Sequence, residues 1–168
     1  RSQDQIAYDY NRGRPVAWWK IDECQGSTAN NAMGNGYNGT ITIGASGTYT
    51  SVGNCNSGTS TESWNAGTSG KRNSSLGFDG TDDKITGSTP MISDYPFSLS
   101  AWVNVTDSTV GSIFALEDST SITITQRILV GASGVALATS GNGSLNSAAG
   151  TTSLFDSSWH LVTGVFTS

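Results

Sequence analysis

The sequence predicts an all-β chain, a two-sheet antiparallel sandwich or jelly roll, and three observations predict it. Ser and Thr together supply 47 of the 168 residues, with Asn and Gly behind them. These are strand and turn formers rather than helix formers. Short apolar segments alternate with polar positions at period two, as in strands that bury one face. Clusters of Gly, Asn and Ser then separate those segments at short intervals, and no stretch carries a helical period.

The length fits one domain. Charged residues are only 12% of the chain, against about 25% in an ordinary soluble domain. That composition excludes an all-helical protein and a charge-rich disordered tail. The net charge is −5, and only eight residues are basic. Nucleic-acid binding needs several Lys or Arg gathered to displace phosphate counterions, and these eight are scattered. An anionic membrane surface is disfavoured for the same reason, and no apolar run approaches the ~18–20 residues that span a bilayer. The chain opens at Arg1 without an apolar leader, as a processed product or a fragment would.

In chain order, Arg1–Pro15 is polar and aperiodic, and reads as a leader or linker arm preceding a domain over residues 16–168. Val16-Ala17-Trp18-Trp19-Lys20-Ile21 is rich in β-formers and predicts a first strand ending at Asp22-Glu23. Gly26–Gly39 is turn chemistry throughout, leading to a strand at Thr40–Ile43. Gly44–Ser75 is a long polar stretch, too long to be structureless in a packed domain unless something ties it down. Leu76–Phe78 and Lys84–Thr86 flank Asp79-Gly80-Thr81-Asp82-Asp83 as a hairpin would. Phe97–Val105 alternates cleanly, with Phe97, Leu99, Ala101, Val103 and Val105 on one face and Ser98, Ser100, Trp102 and Asn104 on the other. Further strands are expected at Ser112–Leu116, Ser121–Val130, Gly134–Thr139 and Trp159–Phe166.

Cys24 and Cys55 are an even pair in a charge-poor, Ser/Thr-rich chain. One disulfide formed in an oxidising compartment fits them, and two buried thiols are the alternative. A metal site built from two isolated cysteines lacks the usual ligand spacing.

Four blocks in order then resemble laminin-G-like domains of the concanavalin A-like jelly-roll class. They are Ala17-Trp18-Trp19-Lys20-Ile21-Asp22-Glu23; the Asn/Gly-rich run Ala29–Ile41; Trp64, Gly67 and Gly70 with Leu76–Ile85; and Phe97–Val103 with Trp159–Val162. The resemblance covers about Val16 to Ser168 and implies two antiparallel sheets packed face to face. It also implies several further strands after the Trp159-His160 segment, either absent from this chain or supplied by another one, which would leave a sheet edge open. Family members often hold a structural Ca2+ through an Asp where Asn31 stands, and a neutral amide is a weaker ligand. Asp22 and Glu23, with Asn31, are the candidate calcium ligands, although two carboxylates are few for a filled site.

Catalysis is not expected. A retaining glycosidase needs two carboxylates facing one groove about 5–5.5 Å apart, and no strand here carries acidic residues at alternate positions. Asp79, Asp82 and Asp83 sit in a turn, where Asp commonly bonds its own backbone. The single histidine, His160, has no Gly-x-Ser-x-Gly elbow or activated cysteine beside it. Sugar binding instead uses exposed rings and amides, and Tyr37, Tyr49, Trp64 and Tyr95 lie in loops as ligand-binding candidates. Trp64 also matches a family packing position, while Trp18, Trp19 and Trp102 lie in strands and are assigned to the core. Asn-x-Ser/Thr sequons stand at Asn38, Asn73, Asn104 and Asn142.

The expected function is a carbohydrate-binding or adhesive module of a secreted or cell-surface protein, with a glycan or cell-surface partner. The second expectation is a self-associating structural subunit of an extracellular filament or surface assembly, held by strand edges and the N-terminal arm, and a glycoside hydrolase relative ranks third.

Overall fold

The strand-forming segments pair in antiparallel ladders, seen in a computed structural model that describes residues 14–87, 92, 95–106, 110–118, 123–140 and 146–167. The arm Arg1–Gly13 and the sequon at Asn142 lie outside the described residues. The chain is all-β, as its alternation predicts, and divides into two units between Met91 and Ile92.

The first unit contains three short strands, β1 (Thr28–Ala29), β2 (Gly39–Thr42) and β3 (Lys84–Gly87), in the order β1-β2-β3. One turn of helix, α1 (Ser63–Ala66), lies between β2 and β3 in sequence. The core is small: Ala29, Ile41, Cys55, Trp64 and Leu76, with Trp19, Ile21, Ile43, Val52 and Ile85 against it. The Cys24–Cys55 disulfide joins residues 31 apart and ties the long polar stretch back to the first segment. Cys55 N–H also donates to the Cys24 carbonyl at 3.0 Å.

Three local expectations are corrected in this unit. Val16–Ile21 makes no strand, only an isolated bridge between Trp19 and Asn31. The Asn31 side chain takes the Trp18 N–H, and Ile21 and Cys24 both sit at positive φ, which bends the chain out of any ladder. β3 pairs with β2 in the register Thr40↔Thr86 and Ile41↔Ile85, not with Leu76–Phe78. The loop Asp79–Asp83 is therefore no hairpin turn, because its carboxylates serve a different backbone segment, described below. Trp18 is half exposed, not core.

The second unit holds two sheets. β4 (Phe97–Asn104) pairs with β9 (Trp159–Phe166) in an unbroken ladder from Phe97↔Phe166 to Asn104↔Trp159. β5 (Gly111–Asp118), β6 (Thr123–Val130), β7 (Val135–Ser140) and β8 (Asn146–Ser153) form a four-stranded meander. Their inner faces share one core, in which Leu99, Val162 and Phe166 of the first sheet meet Ile128 and Val130 of the second, with Leu154. The rings of Phe97 and Phe166 stack at 5.0 Å, 19° from parallel. Burial alternates along β4 as the sequence pattern predicts. That same alternation places Trp102 on the outer face, 42% exposed, which corrects its assignment to the core. β8 and α1 were not foreseen: Asn-Ser-Ala-Ala-Gly-Thr-Thr-Ser has no apolar period, and α1 is a single turn.

Candidate functional site

The asparagine-rich turn is organised by one buried side chain. Asn31 is 6% exposed. Its Oδ1 accepts from Trp18 N–H at 2.9 Å and Met33 N–H at 3.1 Å. Its Nδ2 donates to Asn35 Oδ1, and its own N–H donates to Asn38 Oδ1 at 2.9 Å. Asn35 Nδ2 in turn donates to the Val16 carbonyl at 2.8 Å, and Trp19 Nε1 donates to the Tyr37 carbonyl at 2.8 Å. Ala32 N–H closes onto the Trp18 carbonyl at 2.9 Å. The result is a cross-braced patch in which residues 16–19 run beside residues 31–38.

On that patch Trp18 keeps half of its surface in solvent. Lys20 Nζ lies 5.6 Å from the centroid of its ring, within cation–π range. Tyr37, whose carbonyl takes the Trp19 Nε1–H, is half-buried, and Asn35 and Asn38 are exposed. The arrangement leaves part of an indole in solvent on the same patch as exposed amide side chains, the residue types that sugar-binding surfaces use. The composition already contained the signal for Trp18. Two consecutive aromatics in an extended segment point to opposite sides, so one of Trp18 and Trp19 had to face outward.

The remaining ring candidates divide. Trp64 is wholly buried and its Nε1 donates to the Gly26 carbonyl at 2.9 Å, so its ring is a core element and not a ligand platform. Tyr95, 40% exposed, belongs to the second unit, where it stacks on Phe97 at 5.3 Å and its hydroxyl accepts from Gln126. Tyr49 is half-buried, its N–H donating to Asp79 Oδ2 at 2.9 Å.

The candidate calcium ligands are directed to separate partners. Glu23 Oε1 accepts from the N–H and Nδ2 of Asn30, at 2.7 and 3.2 Å. Glu23 Oε2 is buried with no hydrogen-bond partner, a costly position for a carboxylate oxygen. Asp22 Oδ2 accepts from Asn73 Nδ2 at 3.3 Å. A Ca2+ ion held by this set would have to displace the Trp18 and Met33 N–H groups from Asn31, so the side chains as placed do not fit one.

A different acidic group does converge. Asp79, Asp82 and Asp83 each bring a carboxylate oxygen within 4.8 Å of the others. The three carboxylates cap the loop after β2: Asp83 Oδ1 accepts from Gly44 N–H, Asp82 Oδ2 from Ser46 N–H and Asp79 Oδ2 from Tyr49 N–H. Within the turn Asp79 Oδ1 takes Thr81 N–H, and Asp79 N–H donates to Asp83 Oδ2. The Tyr49 N–H, aided by Thr81 and Thr48, holds the Asp79 carboxyl below the usual carboxylate value. The cluster is a loop clamp.

His160 Nε2 lies 2.9 Å from Asp156 Oδ1, which also accepts from Ser158 N–H. The hydrogen bond from His160 lowers the Asp156 pKa. Of the sequons, Asn38, Asn73 and Asn104 all have side chains engaged in hydrogen bonds, Asn104 Nδ2 with the Ser157 carbonyl. Among the described residues no helix is long and apolar enough to cross a membrane. In comparisons with known proteins, no protein-family model, no curated protein and no solved structure matches this chain.

Proposed function

We propose that the chain is a laminin-G-like recognition module, secreted or displayed at a cell surface, that binds neutral carbohydrate without altering it. The observation carrying this reading is the half-exposed indole of Trp18 on a turn braced by Asn31. Stacking on a rigid ring costs little entropy, because the backbone beneath it is already fixed. The four sequence blocks resembling that family support the same reading. So does the commitment of the close-set carboxylates to backbone amides. The disulfide fits an oxidising compartment.

The test is affinity electrophoresis through gels containing neutral polysaccharides, alongside a glycan array. The wild-type chain is retarded by at least one polysaccharide, and Trp18→Ala weakens that retention by about tenfold while keeping the far-UV spectrum. Folded wild-type protein that runs unretarded in every gel and binds no arrayed glycan overturns the reading. Equal retention of Trp18→Ala removes the site from Trp18.

A further inference from the structure

We propose that Asn35-Gly36 is a site of spontaneous deamidation, and that the reaction unfastens the asparagine turn from residues 16–19. The chemistry needs only water. The Gly36 nitrogen attacks Asn35 Cγ, its proton leaves with the side-chain amide as ammonia, and a cyclic succinimide forms. Water then opens either carbonyl of that ring, giving aspartate or the isoaspartyl linkage. The step is open where the nitrogen after asparagine has no side chain in its path and is not held by a hydrogen bond. Of the Asn-Gly pairs in the chain, Asn142-Gly143 lies outside the described residues, and the structure separates the other two. Gly36 is exposed, with φ +84° and nothing within 4 Å of where a Cβ would stand. Among the described residues no group takes its N–H. Asn31 Nδ2 donates to Asn35 Oδ1, which draws electron density from the carbon under attack. Gly39 is buried in the central strand β2, paired with Ala29 on one side and Gly87 on the other, with the Ile85 side chain packed against it. Closing the ring at Asn38-Gly39 therefore means leaving a ladder, whereas closing it at Asn35-Gly36 frees only the Asn35 side chain.

The product cannot keep the brace. Asn35 Nδ2 donates to the Val16 carbonyl at 2.8 Å. A carboxylate has no N–H to give, so two acceptors would face each other there. The isoaspartyl form also lengthens the backbone by a methylene. Trp18 follows that carbonyl closely in the chain, its own N–H bound to Asn31 Oδ1. The turn thus loses one of the ties that fix residues 16–19, and the patch carrying Trp18 ages with it. The effect on carbohydrate retention rests on the reading of Trp18 as the binding ring; the reaction itself does not.

Peptide mapping of the whole chain, held in warm, mildly alkaline buffer with and without urea, tests this. In urea both pairs gain the mass of an amide-to-acid change together. In the folded chain Asn35 converts about tenfold faster than Asn38, the factor set by freeing a ladder hydrogen bond, and isoaspartyl methyltransferase labels the Asn35 peptide. Asn35→Gln, whose longer side chain closes the ring poorly, stays unmodified at that position. Amide exchange of residues 16–19 quickens as the wild type ages, is already fast in fresh Asn35→Asp, and does not change as Asn35→Gln ages. Folded protein in which Asn35 is protected as well as Asn38, or in which Asn38 reacts first, overturns the proposal. So does an aged chain whose residues 16–19 exchange no faster than before. In affinity electrophoresis, retention that is present in fresh protein and lost on ageing ties the reaction to binding. Fresh folded protein that is never retained counts against the carbohydrate reading alone, because the mapping and exchange results stand without it.

Discussion

Asn31 shows how much of the recognition patch rests on one side chain. It satisfies two backbone N–H groups, those of Trp18 and Met33, and is itself buried. Asn31→Ala leaves those donors without partners, and loss of a buried hydrogen-bond partner costs about 1–3 kcal/mol. Urea denaturation should show that loss, and carbohydrate retention should fall with it. Asp79 supplies a pH signature. Its folded pKa is held below the ordinary 3.8 by the Tyr49 N–H. A carboxylate whose folded pKa is depressed stabilises the fold fully above the unfolded value, and that contribution disappears as pH falls through the folded one. Asp156 acts in the same direction through His160. Stability should therefore start to decline as pH drops below about 4, and Asp79→Asn should flatten the stability profile in that window while changing little in the slope above pH 5. At this scale the sequence was legible where alternation spoke. Trp102 falls among Ser98, Ser100 and Asn104, and its exposure follows from that parity. For Trp18 and Trp19 alternation says only that one ring faces outward, and the Trp19–Asn31 bridge decides which.

Elements in the first unit are short and held by special pieces rather than by area. α1 ends at Gly67, whose N–H donates to the Trp64 carbonyl and whose own carbonyl accepts from Ser75 N–H at 2.8 Å. A Cβ at Gly67 would fall 1.8 Å from the Ser75 carbonyl oxygen, a backbone atom that cannot swing aside. Gly67→Ala should cost at least about 1–3 kcal/mol, the usual penalty for overfilling a packed site, and a thermal melt reads it directly. Trp64→Ala empties a fully buried indole and should cost about 3–5 kcal/mol. β4 and β9 were legible in the sequence because each buries one face and exposes the other over eight residues. β1, two residues long inside what reads as a turn, was not, since its pairing with β2 is decided by the chain around it.

Among the described residues the two cores of the molecule share no residue. The disulfide belongs to the first of them, and a cross-link closing a loop of this size contributes about 3–4 kcal/mol by restricting the unfolded chain. Reduction, or the paired change of Cys24 and Cys55 to Ser, should therefore accelerate amide exchange in residues 24–87. The β4–β9 ladder should keep its protection, because the buried residues of its core, Leu99, Ile128, Val130, Leu154, Val162 and Phe166, all lie in the second unit. Hydrogen exchange resolved by peptide separates the two outcomes, and equal loss of protection in both units would contradict two self-sufficient cores.

The sequence alone determined the β class and the inward and outward faces of the long strands, because period-two burial is a local property that each segment carries within itself. Even the outward turn of Trp102 was written there. Tertiary structure decided that β3 would pair with β2 and not with Leu76–Phe78, that Asp79, Asp82 and Asp83 would clamp the loop after β2, and that Val16–Ile21 would brace an asparagine turn instead of joining a sheet. Those outcomes turn on backbone donors and acceptors finding partners tens of residues away, and no local pattern specifies which distant group arrives first.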